Sequence, residues 1–339
     1  MTTYKEIKGT QIEVLESDPS NPVEGQVWYN STSNVLKGQG ATTAGAWATG
    51  GSLNTGRRRM SGAGVSNSSA LGFGGNSPPG DFANTESYNG TSWTEVADLN
   101  TARGAAAGDG TQTSALCFGG TPNPAKAITE SWNGVSWTEV ADLNTGRSIL
   151  AGAGADNTSA LAFGGLGTPP GAPTYALTES WNGASWTEVG DLNLGRADLM
   201  GFGIKTSAIA CGGEADGPSP PQQVTTESWN GVSWTEVNDL SFRRIGGGTA
   251  GTDNTSGLIF GGFDASPTDF RTNKTELWNG TSWSEQADLS GTKYAAQAGA
   301  GTASSAISFG GEGPSNEMRT ATEEWTGAGA PVVRTFTDS

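Results

Sequence analysis

The chain has 339 residues and a formal net charge of −16, from 18 Lys and Arg against 34 Asp and Glu. So acidic a chain argues against nucleic acid or an anionic membrane as a partner, because both need clustered Lys and Arg. It has no histidine, so the commonest general base and zinc ligand is missing. Gly is abundant at 53 residues, yet 12 Trp and 11 Phe at regular spacing point to a packed core and not to disorder.

Residues 1–43 form a first segment. Met1 to Lys5 open no apolar leader, and no apolar run approaches the length of a membrane span. After Asp18-Pro19-Ser20-Asn21-Pro22 comes Gln26-Val27-Trp28-Tyr29-Asn30, and Val35-Leu36-Lys37-Gly38 reads as the return strand of a small hairpin.

Residues 44–327 repeat internally. Trp47, Trp93, Trp137, Trp186, Trp234 and Trp283 recur at intervals near 44 to 49 residues. Gly-Gly doublets recur between them, from Gly74-Gly75 to Gly310-Gly311. Thr-Glu-Ser-Tyr/Trp-Asn-Gly precedes most of the Trp positions, and Asn-Gly between strand-like runs is the strongest short hairpin signal. Four short strands per repeat and a period of 45 to 50 predict an all-β, six-bladed β-propeller. In the repeat from Arg147 to Asn193 the strands are read as Ser148 to Ala155, Ser159 to Phe163, Leu177 to Trp181, and one starting at Trp186. The last repeat lacks its own Trp strand, so the Trp47 strand is expected to complete the last blade. Pro331 to Thr337, within the tail 328–339, is the rival for that place or an extra outer strand.

Gly-Gly followed by two spaced aromatics, as in Gly119-Gly120, Trp132 and Trp137, resembles the kelch repeat. The resemblance implies a binding scaffold. Its copper-oxidase branch does not carry over to a chain without histidine. The segment from Asp18 to Asn30 resembles one found near the start of bacteriophage tail-fibre and other virion proteins. It makes Pro22, Trp28 and Tyr29 candidate attachment residues.

Arg57, Arg103, Arg147, Arg196, Arg243 and Lys293 follow the outer strands and are candidates to ring one face as an anion or sugar-carboxylate site. Identical repetition favours a second reading, in which they pair with Glu86, Glu130, Glu179, Glu227, Glu276 and Glu323 as ion pairs between blades. The loops between second and third strands differ from repeat to repeat and carry Phe82, Tyr175 and Phe270, the aromatic candidates for ligand contact. Cys117 and Cys211 read as buried free thiols, and the Asp before each outer-strand Leu as a turn residue. No paired acids suggest glycoside hydrolysis. The expected function is a non-catalytic, cofactor-free phage virion protein that meets other virion proteins and a host-surface glycan or protein. A passive decoration protein and a non-viral kelch adaptor are the alternatives.

Overall fold

The computed structural model describes residues 12–19, 26–41, 44–122, 125–167, 173–216, 223–263, 271–291, 298–313, 316–328 and 331–336. The chain is all-β, and among these residues there is no helix. It divides into two compact units, Met1–Gly45 with Thr326–Ser339, and Ala46–Trp325.

The larger unit consists of repeated four-stranded antiparallel sheets resembling those of a propeller. From inside outwards, sheet I is Ser61–Ser66, Ser69–Phe73, Thr85–Tyr88 and Trp93–Glu95. Sheet II is Ala107–Thr111, Ser114–Phe118, Thr129–Trp132 and Trp137–Val140. Sheet III is Ala151–Asp156, Ser159–Phe163, Thr178–Trp181 and Trp186–Glu188. Sheet IV is Met200–Ile204, Ser207–Cys211, Thr226–Trp229 and Trp234–Val237. Sheet V is Gly248–Asp253, Ser256–Phe260, Thr275–Trp278 and Trp283–Glu285. Sheet VI is Ala298–Thr302, Ser305–Phe309, Thr322–Thr326 and, outermost, Ala46–Thr49 from near the other end of the chain.

Packing explains the pattern of large and small residues. The second strands are buried from their second residue on, and each ends in a Phe or Cys that packs on the next sheet. The outer-strand Trp rings lie over the aromatics of the sheet before them, as Trp137 does on Phe73 at 4.9 Å and Trp93 on Phe309 at 4.7 Å. Fully burying one such ring is worth roughly 1.5–3 kcal/mol. Each indole Nε1 also donates to a third-strand threonine of the preceding sheet. Trp137 reaches Thr85, Trp186 Thr129, Trp234 Thr178 and Trp283 Thr226, at 3.0 to 3.2 Å. Trp47 reaches Thr275 at 3.0 Å, and Trp93 of sheet I reaches Thr322 of sheet VI at 2.9 Å.

The glycine doublets have a conformational reason. Gly74 and Gly75 have φ of 63° and 102°, a region that side chains enter rarely. A Cβ on Gly74 would also lie 2.7 Å from the Arg103 carbonyl oxygen.

The smaller unit is a sheet in the order Glu13–Leu15, Val27–Asn30, Val35–Ala41, Pro331–Phe336. The hairpin expected after Tyr29 is present, with Val27 opposite Gly38. Pro331–Phe336 pairs antiparallel with Val35–Ala41 and has no place in sheet VI. Trp28 is fully buried, and Asp18 accepts from Trp28 Nε1 at 3.1 Å, Asn30 Nδ2 at 2.8 Å and Lys37 Nζ at 2.7 Å. Pro22 lies outside the described residues.

Candidate functional site

The segment entering each of sheets I to V begins with Leu, and the fourth residue after that Leu is an arginine. Arg57, Arg103, Arg147 and Arg196 are completely buried. Their guanidiniums pair with Glu86 at 2.6 Å, Glu130 at 3.1 Å, Glu179 at 3.0 Å and Glu227 at 2.8 Å. A ring of arginines open to ligand is therefore not present. Each charge is paired inside the fold with a glutamate, as a charge out of water requires, while Nε of Arg103, Arg147 and Arg196 has no hydrogen-bond partner. In the fifth repeat the buried residue is Arg244, 3.3 Å from Glu276, while Arg243 is exposed. Counting four from Leu240 gives Arg244, which corrects the assignment to Arg243. Lys293 lies outside the described residues.

These arginines also link sheets, but not as ion pairs between them. Arg57 donates Nε to the Gly74 carbonyl of sheet I at 2.8 Å, while its own carbonyl accepts from Gly311 of sheet VI at 2.9 Å. Glu86 further accepts from the backbone and side-chain nitrogens of Asn54 at 2.7 and 2.8 Å. The ion pair thus holds the entering segment to its own sheet, and the backbone holds it to the sheet before. Burial lowers the affinity of the Arg147 and Arg196 guanidiniums for their protons, and Glu179 and Glu227 oppose that shift.

The loops between second and third strands share a face with these entering segments. Arg58 bridges to Asn76, Ser148 to Leu166, Ala197 to Glu214 and Ile245 to Phe263. On that face one backbone position is fixed six times over by the same bond. Phe82, Lys126, Tyr175, Gln223, Thr272 and Arg319 each donate N–H to the carbonyl of the second glycine of the doublet, at 2.8 to 3.0 Å. The backbone is constant and the side chain is different every time. All but Thr272 are partly exposed. Two of the candidate aromatics, Phe82 and Tyr175, hold equivalent places in this set. Phe270 lies outside the described residues. Sequence reasoning missed the other four members, although all six stand three residues before the third-strand threonine.

Two residues beyond each buried arginine, beside the innermost strands, lies a second constant feature. Arg59, Ala105, Ile149, Asp198 and Gly246 have φ between 47° and 61°. Each N–H after the first donates to the carbonyl of the one before, at 2.8 to 3.0 Å. Arg59 and Asp198 are the charged members of these five. Burial raises the Asp198 carboxyl, the attraction of Arg59 lowers it, and Glu214 raises it. The innermost strands of all six sheets line a cavity of about 160 Å³, which these residues border. A second cavity of about 510 Å³ on the loops is lined by Arg58, Asn76, Pro78, Pro79, Asp81 and Pro122, among others.

Cys117 and Cys211 are buried and unbridged, and burial pushes their thiols up to about 11 and about 12. Asp98, Asp142, Asp191 and Asp239 accept from the backbone N–H of Thr85, Thr129, Thr178 and Thr226 at 3.0 to 3.2 Å, a bond to the third strand 13 residues earlier and not one within a local turn. No group of three or more Cys, Asp or Glu with metal-ligand geometry occurs among the described residues.

No protein-family model and no curated protein matches the chain. Among solved structures, that of YjhT, a kelch-like propeller, superimposes with a TM-score of 0.67. The match covers 84% of this chain and 99% of that chain at 15% identity, so the likeness is one of fold.

Proposed function

We propose that sheets I to VI close as a six-bladed kelch-like β-propeller whose last blade is completed by the Trp47 strand. Its supports are the Trp–Thr bonds, which pass from each sheet to the one before and from sheet I to sheet VI.

On this scaffold the chain is a non-catalytic binding protein, and the loop-bearing face is where it binds. The observation that carries this reading is the set Phe82, Lys126, Tyr175, Gln223, Thr272 and Arg319. Six identical backbone anchors present six different side chains. Residues serving architecture repeat, as the buried Arg–Glu pairs do. Residues serving one asymmetric ligand have reason to differ.

The chain is a bacteriophage virion component of the tail or particle surface, with a host-surface glycan or protein as its ligand. The smaller unit, resembling a tail-fibre segment and compact in its own right, is the part that docks on other virion proteins. Phe82 and Tyr175 suit stacking on a sugar ring, and many copies on a particle would multiply a weak site.

The test is adsorption of the purified full-length chain to host cells and to a glycan array. Saturable binding that falls in Phe82→Ala and Tyr175→Ala is expected. Silence on both would refute the adhesion reading and leave a passive decoration protein.

A further inference from the structure

The loop between the second and third strands of sheet I has a backbone of its own. Asn76–Ser77 and Gly80–Asp81 pair antiparallel as a small hairpin with Pro78 and Pro79 at its tip. Among the described residues no other loop forms a two-stranded sheet. Asn76 stands directly opposite Asp81, and residues directly opposite in an antiparallel pair leave the backbone on the same face. The bond from the Phe82 N–H to the Gly75 carbonyl, at 2.8 Å, closes the base of the hairpin.

The polar groups here are set in place by their neighbours and still have bonding capacity. Arg58 is ion-paired with Glu312 and donates Nε to Asn76 Oδ1 at 3.2 Å. Asp81 Oδ2 accepts from Thr121 Oγ1 at 3.1 Å. Arg58 Nη2, Asn76 Nδ2 and Asp81 Oδ1 are left without a partner among the described residues, and none of the three is sealed from solvent. A Cβ on Gly104 would lie 3.1 Å from Asn76 Nδ2 and 3.2 Å from Asp81 Oδ1, so a donor and an acceptor converge on one point.

These groups line the loop cavity of about 510 Å³, whose walls include the exposed Pro78, Pro79 and Pro122. That volume is of the size that takes a small molecule. Proline rings offer rigid apolar faces that lose no rotamer freedom on binding. Arg58 and Asp81 are the charged residues of the lining, and Glu312 cancels the charge of Arg58, so the cavity keeps the negative charge of Asp81. A carboxylate or phosphate is repelled by that balance. The cavity suits a neutral molecule with carbon-bound hydrogens on one side and neighbouring groups that both donate and accept on another. Adjacent hydroxyls on a sugar ring have that character.

We propose that this cavity binds a neutral pyranose. One hydroxyl donates to Asp81 Oδ1, hydroxyls accept from Asn76 Nδ2 and Arg58 Nη2, and the ring lies against the prolines. The proposal rests on the reading of the loop face as a glycan-binding surface, and it names the sugar class and the pocket.

The probes are the methyl glycosides of glucose, galactose and mannose, each with its matching uronic acid, titrated into the full-length chain. Calorimetry and saturation-transfer NMR are the readouts. At least one neutral glycoside should bind saturably, and its uronic acid should bind about tenfold more weakly or worse. Asp81→Asn, which keeps the shape, should weaken the neutral glycoside about tenfold or more while leaving the melting temperature near that of the wild type. Should Asp81→Asn fail to fold, Asn76→Ala decides in its place, with the same loss expected. No saturable binding by the wild type, equal binding of the uronic acid, or undiminished binding by the folded variant would overturn the proposal. Host adsorption without glycoside binding would sink this pocket and leave the adhesion reading standing. Glycoside binding without host adsorption would uphold the pocket and sink the adhesion reading.

Discussion

Tyr88 of sheet I donates its hydroxyl hydrogen bond to Glu324 of sheet VI, and the same oxygen accepts from the Gly51 N–H at 3.2 Å. The corresponding residue in the other sheets is Trp132, Trp181, Trp229, Trp278 or Trp325. Each of these donates Nε1 to the backbone carbonyl of the first turn of its own sheet, at 2.8 to 3.0 Å. The tyrosine is thus where the repeat changes so that the first sheet can bond to the last. Tyr88→Phe should lower stability by roughly 1–2 kcal/mol, below the full value for a bond to a charged group because Glu324 keeps some solvent contact. Burial and the Glu324 bond also push the Tyr88 hydroxyl up to about 12. Absorbance titration should show a tyrosine step near pH 12 that Tyr88→Phe removes.

The buried ion pairs give a sharp contrast between neighbours. Arg244→Ala strands Glu276 without its guanidinium and should cost about 3–5 kcal/mol in denaturant unfolding. Arg243→Ala removes an exposed charge and should change stability by no more than about 0.5 kcal/mol. Equal effects would mean that the assignment of the buried position is wrong.

Asp109 makes stability depend on pH. Its folded-state affinity for a proton is raised, so between the ordinary carboxylate value and the raised one the folded chain holds a proton that the unfolded chain has lost. Stability contributed this way is greatest at acid pH and falls as pH rises through that window. The strands packed against it carry Cys117 and Asp156 as their titratable side chains, and desolvation is the cause of the shift. The difference in melting temperature between wild type and Asp109→Asn should therefore shrink on acidification from neutral pH.

Asp18 behaves in the opposite sense. The Lys37, Asn30 and Trp28 bonds lower its carboxyl to about 2. Its contribution is present above the ordinary carboxylate value and is lost as pH falls through about 2. The indole N–H resonance of Trp28 should shift with that midpoint in an NMR titration, and Asp18→Asn should abolish the shift.

The thiols give a test of burial. Cys117 and Cys211 should resist a thiol reagent at mildly alkaline pH in the native chain and react after unfolding. Fast reaction of either in the native state would contradict the packing around the second strands.

The sequence by itself determined the repeated units, because the doublets, the Asn-Gly turns and the outer-strand tryptophans are local demands on backbone conformation and burial. It also placed the Trp47 strand beside the last repeat, through its flanking pattern. The role of Arg147 was open in the sequence. Its repetition in register favoured ion pairs over a binding ring, and the 3.0 Å distance to Glu179 decides for a pair within one sheet. Tertiary structure alone decided which side chains share a position on the loop face, since loops of unequal length hide the equivalence of Phe82 and Arg319. It alone decided that Asp109 Oδ2 is enclosed against Gly152 of the next sheet. Contacts between sheets join residues far apart in the chain, as Thr85 accepts from Trp137 at a separation of 52.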